Sequence, residues 1–248
     1  MTIQQAVIFA GGRGERLRPI TDGIPKPMVP VNGRPFTDYL MRSLVNSGIR
    51  RILFLVGYRA DAIMGYYGDG REFGLRIDYS VGTEDDLTGR RLLDAYEKLE
   101  DRFLLLYGDN YWTIPLDKMI FNYERIGVPV TTTVFSNKQG TGEYGSGNNV
   151  AVDHRGKVVA YDKNRRMEGL NGIDIGFFLV DRKVLDRAEE GNISFEEKIL
   201  ARLAADGRLG AFVSDEQYYF ITSPGDLIRF EKASREKGFA CLRREGGE

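Results

Sequence analysis

The 248-residue sequence has one cysteine, one histidine, almost no net charge and no long apolar run. A lone thiol, Cys241, cannot close an internal disulfide and fits a reducing compartment. One cysteine and one histidine are too few for an ordinary zinc site. Cys241 lies close to the carboxyl end, and His154 lies in the turn-like Asp153-His154-Arg155-Gly156, so neither has the setting of a catalytic nucleophile and base. The 35 basic and 36 acidic residues sum to −1. Without a global field for nucleic acid or anionic membrane, any recognition of phosphate must be local, and small-molecule binding ranks ahead of nucleic acid. No apolar stretch approaches the ~20 residues that cross a bilayer. Met1-Thr2-Ile3-Gln4-Gln5 has no basic region ahead of an apolar core, unlike a secretory leader. The expectation is a soluble, cytoplasmic protein without a membrane or nucleic-acid partner; self-association stays open.

What is present is alternation. Ala6-Val7-Ile8-Phe9-Ala10 ends at Gly11-Gly12, Ile52-Leu53-Phe54-Leu55-Val56 at Gly57, and Phe103-Leu104-Leu105-Leu106-Tyr107 at Gly108. Continuous apolar runs of this length fit strands covered on both faces. Between them, residues 35–47, 60–67 and 87–99 carry helical spacing, with Gly48 as a stop for the first. Strand–helix alternation predicts a layered α/β domain with right-handed crossovers. After about residue 128 the texture changes to short β-branched segments at 128–135, 149–152, 158–161 and 173–180. Ser194 with Glu197 predicts a capping box for a helix through residue 205. Pro224 predicts the first turn of a last helix toward residue 237, and the tail at 243–248 is expected to fray. The organisation expected is one domain, 1–248, with halves at 1–127 and 128–248, the second more antiparallel.

The most informative stretch is Gly11-Gly12-Arg13-Gly14-Glu15-Arg16-Leu17-Arg18-Pro19, directly after the first strand. Three glycines in four positions let backbone N–H groups approach a ligand, and such a nest favours phosphate oxygens. Cations follow: Arg13, Arg16, Arg18, then Lys26 held between Pro25 and Pro27. Gly14-Glu15-Arg16 stands where a P-loop needs Gly-Lys-Ser/Thr, and the glycine spacing does not fit a dinucleotide fingerprint.

Together with Pro25-Lys26-Pro27-Met28, this stretch resembles the signature of sugar-1-phosphate nucleotidyltransferases. The resemblance continues through Gly33-Arg34-Pro35, Gly108-Asp109, Asp162-Lys163 and Asn171-Gly172. It implies a Rossmann-like, glycosyltransferase-A-type mixed sheet flanked by helices, with a smaller antiparallel part in the second half. It further implies that an NTP and a sugar 1-phosphate react to an NDP-sugar and pyrophosphate with Mg2+. By the same likeness 1–127 binds the nucleotide and 128–248 the sugar phosphate. Ala10, Gly11, Gly12, Arg13, Gly14, Thr88, Gly89 and Gly108 would contact the nucleotide. Arg16 would grip the triphosphate, Lys26 the α-phosphate, and Asp109, at the carboxyl end of a buried strand, the metal. Lys163, Asn171 and Asp174 would face the sugar phosphate.

Two positions depart from the family. The Gly-Thr-Gly-Gly-Ala-like loop of many relatives stands here as Leu87-Thr88-Gly89-Arg90-Arg91, similar also to glucose-1-phosphate cytidylyltransferases, which keeps CTP open. In Tyr219-Phe220-Ile221-Thr222-Ser223-Pro224 an aromatic residue takes the place of a second metal-binding aspartate. Either Asp109 and phosphates suffice, or Asp162 or Asp174 substitutes, or turnover is weak. Gly108-Asp109-Asn110-Tyr111-Trp112 and Gly169-Leu170-Asn171-Gly172 look closest to the heptose-1-phosphate guanylyltransferase branch, so GTP and a heptose or hexose 1-phosphate are the expected pair. The alternatives are a cytidylyl- or uridylyltransferase on another sugar or alditol phosphate, and a nucleotide-sugar-binding regulator without turnover.

Overall fold

The computed structural model describes residues 2–137 and 147–244. In chain order the strands are β1 Gln5–Ala10, β2 Pro30–Val31, β3 Arg34–Pro35, β4 Arg51–Val56, β5 Arg76–Val81, β6 Arg102–Tyr107, β7 Asn110–Tyr111, β8 Val130–Phe135, β9 Val150–Val152, β10 Val158–Tyr161, β11 Ile173–Asp181, β12 Leu209–Ser214 and β13 Tyr219–Phe220. The α-helices are α1 Phe36–Asn46, α2 Ala60–Tyr67, α3 Thr88–Asp94, α4 Leu116–Ile126, α5 Ala201–Ala205 and α6 Pro224–Glu236. The chain divides into two compact units that interleave in sequence. The first comprises Gln4–Asp86, Leu106–Ile114 and Tyr218–Glu248; the second comprises Met1–Ile3, Leu87–Leu105 and Pro115–Gln217.

In the first unit β1, β4 and β5 pair in parallel, with Gln5 opposite Arg51 and Arg51 opposite Arg76. All six residues of β1 are buried, as the continuous apolar run requires of a strand covered on both sides. Helix α1 buries Phe36, Tyr39, Leu40 and Leu44 at helical spacing. Its Phe36 and Tyr39 rings, with Tyr111, surround Phe230 of α6 at centroid distances of 4.9, 5.4 and 5.2 Å. Burying one such phenylalanine stabilises by roughly 2–3 kcal/mol. Helix α6 opens as expected at Pro224, and Ser223 with Asp226 completes a reciprocal capping box. The expectation of a frayed tail is corrected at Arg244, which pairs with Glu72 at 3.1 Å and lies over the Phe73 ring; residues 245–248 lie outside the described ones.

In the second unit the strand order is β12-β8-β11. β8 pairs antiparallel with β11 and parallel with β12, and β9 with β10 forms a separate antiparallel ladder. Parallel and antiparallel pairs together make this a mixed α/β protein. Several elements escape the sequence expectation, among them the two-residue strands β2, β3, β7 and β13. Helix α4 buries only Leu116, Met119 and Tyr123 among polar residues and stops at the left-handed Gly127. Strand β5 is mostly half-exposed, so its apolar pattern is weak, and β12 ends in exposed and half-exposed residues. The expected helix over 87–99 divides into α3 and a 3-10 turn, Tyr96–Lys98. That over 194–205 begins with a π-helical stretch, Phe195–Leu200.

Candidate active site

Strand β1 delivers its last residue, the buried Ala10, to the glycine loop. The glycines there differ in what requires them. Gly14 is left-handed (φ +66°), and a Cβ would stand 2.9 Å from the Lys26 Cβ. Its carbonyl accepts from Leu17 N–H and from Thr21 Oγ1, both at 2.9 Å. The Gly11 carbonyl accepts from Tyr58 N–H at 3.0 Å. At Gly12, by contrast, a Cβ would meet nothing within 4 Å, and no positive φ demands glycine.

The cations separate into engaged and unengaged ones. Arg13 pairs with Glu84 at 2.7 Å and with Asp85 at 3.1 Å, and Arg18 with Asp22 at 3.2 Å. Arg16, on the 3-10 turn Glu15–Leu17, is exposed and has no ion pair among the described residues. Lys26 starts the 3-10 turn Lys26–Met28, which the flanking prolines pre-form. Its side chain is only 13% exposed, and its ammonium donates to the Asp109 carboxylate, itself 28% exposed. Two residues 83 apart in sequence, both expected in the chemistry, are thus in direct contact.

Asp109 follows β6 through Gly108, whose glycine is a packing requirement: a Cβ would come within 2.7 Å of the Phe9 carbonyl. The Asp109 carbonyl accepts from Ile221 N–H at 3.0 Å, and β7 pairs with β13 so that Asn110 stands opposite Phe220. The aromatic residue therefore lies beside Asp109 through the backbone. The next carboxylate along, Asp226, is spent on Thr222 and Ser223 N–H and on Ser223 Oγ. Among the described residues no group of three or more His, Cys, Asp or Glu is arranged to hold a metal ion. One Asp109 oxygen meets Lys26 and the other has no partner among the described residues. That donor set fits Mg2+, which is held by one or two carboxylates and completes its shell with substrate phosphates and water.

The second unit gathers another cluster, which sequence reasoning did not foresee. Buried Glu196 accepts from Thr88 Oγ1 at 2.7 Å and from Ser194 Oγ at 2.6 Å, and Lys163 Nζ stands 3.7 Å away. Ser194 accepts from Glu197 N–H, as its capping role predicts, yet sends its own proton to Glu196. A Cβ on Gly89 would stand 2.8 Å from the Ile193 carbonyl, and Gly89 N–H donates to that oxygen at 2.9 Å. Thr88 and Gly89, expected at the nucleotide, are held by the 193–196 segment, and Gly89 is buried. The only sequence signal for Glu196 was its place next to Glu197, whose expected capping box forms only through Ser194 accepting from Glu197 N–H.

Asn171, expected at the sugar phosphate, has its side-chain amide engaged with both the N–H and the carbonyl of Val152, at 2.9 Å each. The Asp162 carboxylate accepts from the N–H groups of Asn164, Arg166 and Met167. Those bonds, first the one from Met167, hold it below the usual carboxylate range. Asp174 accepts from Tyr161 Oη at 2.5 Å, Thr132 Oγ1 at 2.8 Å and Gly176 N–H at 2.8 Å. Burial nevertheless pushes its pKa up to about 6. With their oxygens so engaged, neither Asp162 nor Asp174 is a ready second metal ligand.

The shift at Asp174 has a testable sign. Between the ordinary carboxylate range and pH 6 the unfolded chain has released a proton that folded Asp174 keeps, so stability falls as pH rises through that window and levels off above it. Asp174→Asn is expected to flatten this fall, by up to about 2 kcal/mol, in urea unfolding at pH 4 to 7. A residual slope belongs to Asp38, also raised by burial although Tyr67 and Tyr66 donate to it. An unchanged pH profile in the variant would show that Asp174 titrates normally.

The family described as nucleotidyl transferase matches residues 5–219. The D-glycero-alpha-D-manno-heptose 1-phosphate guanylyltransferase of Campylobacter jejuni is 30% identical over 229 residues, covering 91% of this chain and 98% of that protein. Its counterpart in Aneurinibacillus thermoaerophilus is 28% identical, covering 92% and 97%. The crystal structure of HddC from Yersinia pseudotuberculosis complexed with GMP-PN superposes with a TM-score of 0.77 at 25% identity, over 93% of this chain and 99% of that one. A putative glucose-1-phosphate thymidylyltransferase from Bacillus anthracis, at 20% identity, reaches a TM-score of 0.81 and supports the Rossmann-like fold. The chain belongs to the nucleotidyl transferase family, among its sugar-1-phosphate nucleotidyltransferases.

Proposed function

We propose that this protein joins GMP from GTP to a heptose or hexose 1-phosphate, with Arg16, Lys26 and Asp109 as its catalytic residues and Mg2+ as its cofactor. An oxygen of the sugar 1-phosphate attacks the α-phosphorus of the nucleotide. The bond from that phosphorus to the bridging oxygen breaks, and pyrophosphate leaves. Two anions must meet, so fixed positive charge and alignment are the main needs. The observation that carries this reading is the Lys26–Asp109 contact beside the glycine loop. Lys26, anchored by Pro25, Pro27 and the close approach of Gly14, would stabilise charge developing on the α-phosphate. Arg16, unengaged and exposed, would take the leaving pyrophosphate with its two-pronged guanidinium. Asp109 would hold Mg2+, which when bound neutralises phosphate charge. Lys163, braced by Glu196, would neutralise the sugar phosphate. A lone free thiol, Cys241, agrees with a cytoplasmic site of action, and no helix among the described residues is long and apolar enough to cross a membrane.

Guanine and heptose are favoured because relatives matching nearly the whole chain are heptose 1-phosphate guanylyltransferases. A panel of GTP, CTP, UTP, ATP and dTTP with heptose, mannose and glucose 1-phosphates, scored by pyrophosphate release, tests this. GTP with a heptose or mannose phosphate is expected to turn over fastest. A preference for CTP or UTP would overturn the base assignment, and tight nucleotide binding without pyrophosphate release would favour a regulator. Gly12→Ala separates ligand contact from folding. The new methyl meets no protein atom, so stability should change by less than ~0.5 kcal/mol, whereas KM for the NTP should rise about tenfold if phosphates approach that backbone. Thermal melts and initial rates check both; an unchanged KM would move the phosphates away from Gly12.

A further inference from the structure

The second unit holds a recess of about 300 Å3 lined by Lys183, Arg187, Arg202 and Arg208 with a single carboxylate, Asp186, and floored by Val184 and Leu203. None of these residues belongs to the clusters described above. Asp186 already accepts from Tyr96 Oη at 2.6 Å. None of the four cations has an ion-pair partner among the described residues. Their neighbours behave differently: Arg182 pairs with Asp101, Arg90 with Asp94 and Lys198 with Glu189. In a chain with 36 acidic residues, leaving four converging cations unneutralised costs repulsion and gains nothing for folding. One is already oriented, since Arg202 Nη1 donates to the Arg187 carbonyl at 2.7 Å. The planar guanidinium forks of arginines lining a small recess match phosphate oxygens. The volume is at the low end for ligand sites, suited to one or two phosphate groups with the rest of a ligand left outside.

We propose that this recess binds a polyphosphate group, either free pyrophosphate or the phosphate tail of a nucleotide, as an effector. Its walls are the 3-10 turn Arg182–Arg187 and α5, which flank the segment 188–200. Within that segment Asn192 Oδ1 accepts from Leu87 N–H at 2.7 Å, the Ile193 carbonyl accepts from Gly89 and Arg90, and Glu196 holds Thr88 and faces Lys163. An anion drawing Arg187 and Arg202 together would brace that segment and so steady Lys163. The effect on Lys163 rests on the proposed function; binding itself does not.

Calorimetric titration of the full chain with pyrophosphate, with inorganic phosphate and with GTP tests the site. Wild-type protein is expected to take up two equivalents of pyrophosphate. Arg187→Ala/Arg208→Ala should lose one of them, with at least a tenfold drop in affinity there, and keep its turnover without added anion. Lys118→Ala/Arg155→Ala removes the same charge elsewhere in the unit and should keep both. An unaltered titration in the first double variant, or an equal loss in the second, would overturn the proposal. Competition of GTP for the lost site identifies a nucleotide tail, and its absence identifies free pyrophosphate; phosphate binding as tightly as pyrophosphate would overturn the polyphosphate assignment. If the active-site reading failed instead, wild type would bind one equivalent and the first variant none, so the two failures differ.

Discussion

Lys26→Ala is expected to lower kcat by about a hundred- to a thousand-fold, the range seen when one preorganised group that stabilises developing charge is removed, while KM for the NTP changes by less than about threefold. The split follows from the geometry. The Lys26 ammonium is mostly buried and held by a carboxylate, so its position is set before any ligand arrives. A group fixed in this way acts on charge that grows in the transition state more than on charge already present in bound substrate. Arg16, exposed and without an ion pair among the described residues, is the one expected to govern affinity. Steady-state rates over a range of NTP concentrations decide the matter. A rise in KM with kcat preserved would make Lys26 a simple anchor.

Asp109→Asn is expected to abolish most magnesium-supported turnover, by about a hundredfold or more, without loss of fold. The amide is nearly isosteric, and the backbone bond from Ile221 N–H to the Asp109 carbonyl does not depend on the side chain. What goes is the negative charge that faces Lys26 and would hold the metal ion. With Phe220 opposite Asn110 and Asp226 committed to its cap, no neighbouring carboxylate among the described residues is placed to substitute. Circular dichroism and melting temperature should match wild type. Near-full activity would remove Asp109 from the metal site. Because the two side chains touch, combining Asp109→Asn with Lys26→Ala should cost far less than the two separate losses combined. Additive losses would mean that each acts alone.

Sequence alone revealed what local pattern can encode. The apolar runs became β1, β4 and β6, the glycine loop follows β1 directly, and Lys26 is in contact with Asp109. Long-range packing hid the rest. Gly108 looks like a ligand glycine, yet its requirement comes from the Phe9 carbonyl; Gly89 is fixed by Ile193, 104 positions away by residue number. Glu196 sits in an ordinary helix-start motif, and nothing local signals that its carboxylate accepts from Thr88. Asn171 carried a family likeness, but its amide is consumed by the backbone of Val152. Helix α4 and strand β5 expose too much of their surface to leave a strong periodic signal.

The interleaving of the two units sets an order of completion during synthesis. The glycine loop leaves the ribosome long before Phe230, the ring that packs against Phe36, Tyr39 and Tyr111. The loop therefore rests on an unfinished core until α6 emerges, whereas the second unit ends at Gln217. A nascent chain stalled just before Tyr218 should expose an aromatic surface from the first unit, the form most open to chaperones and proteases.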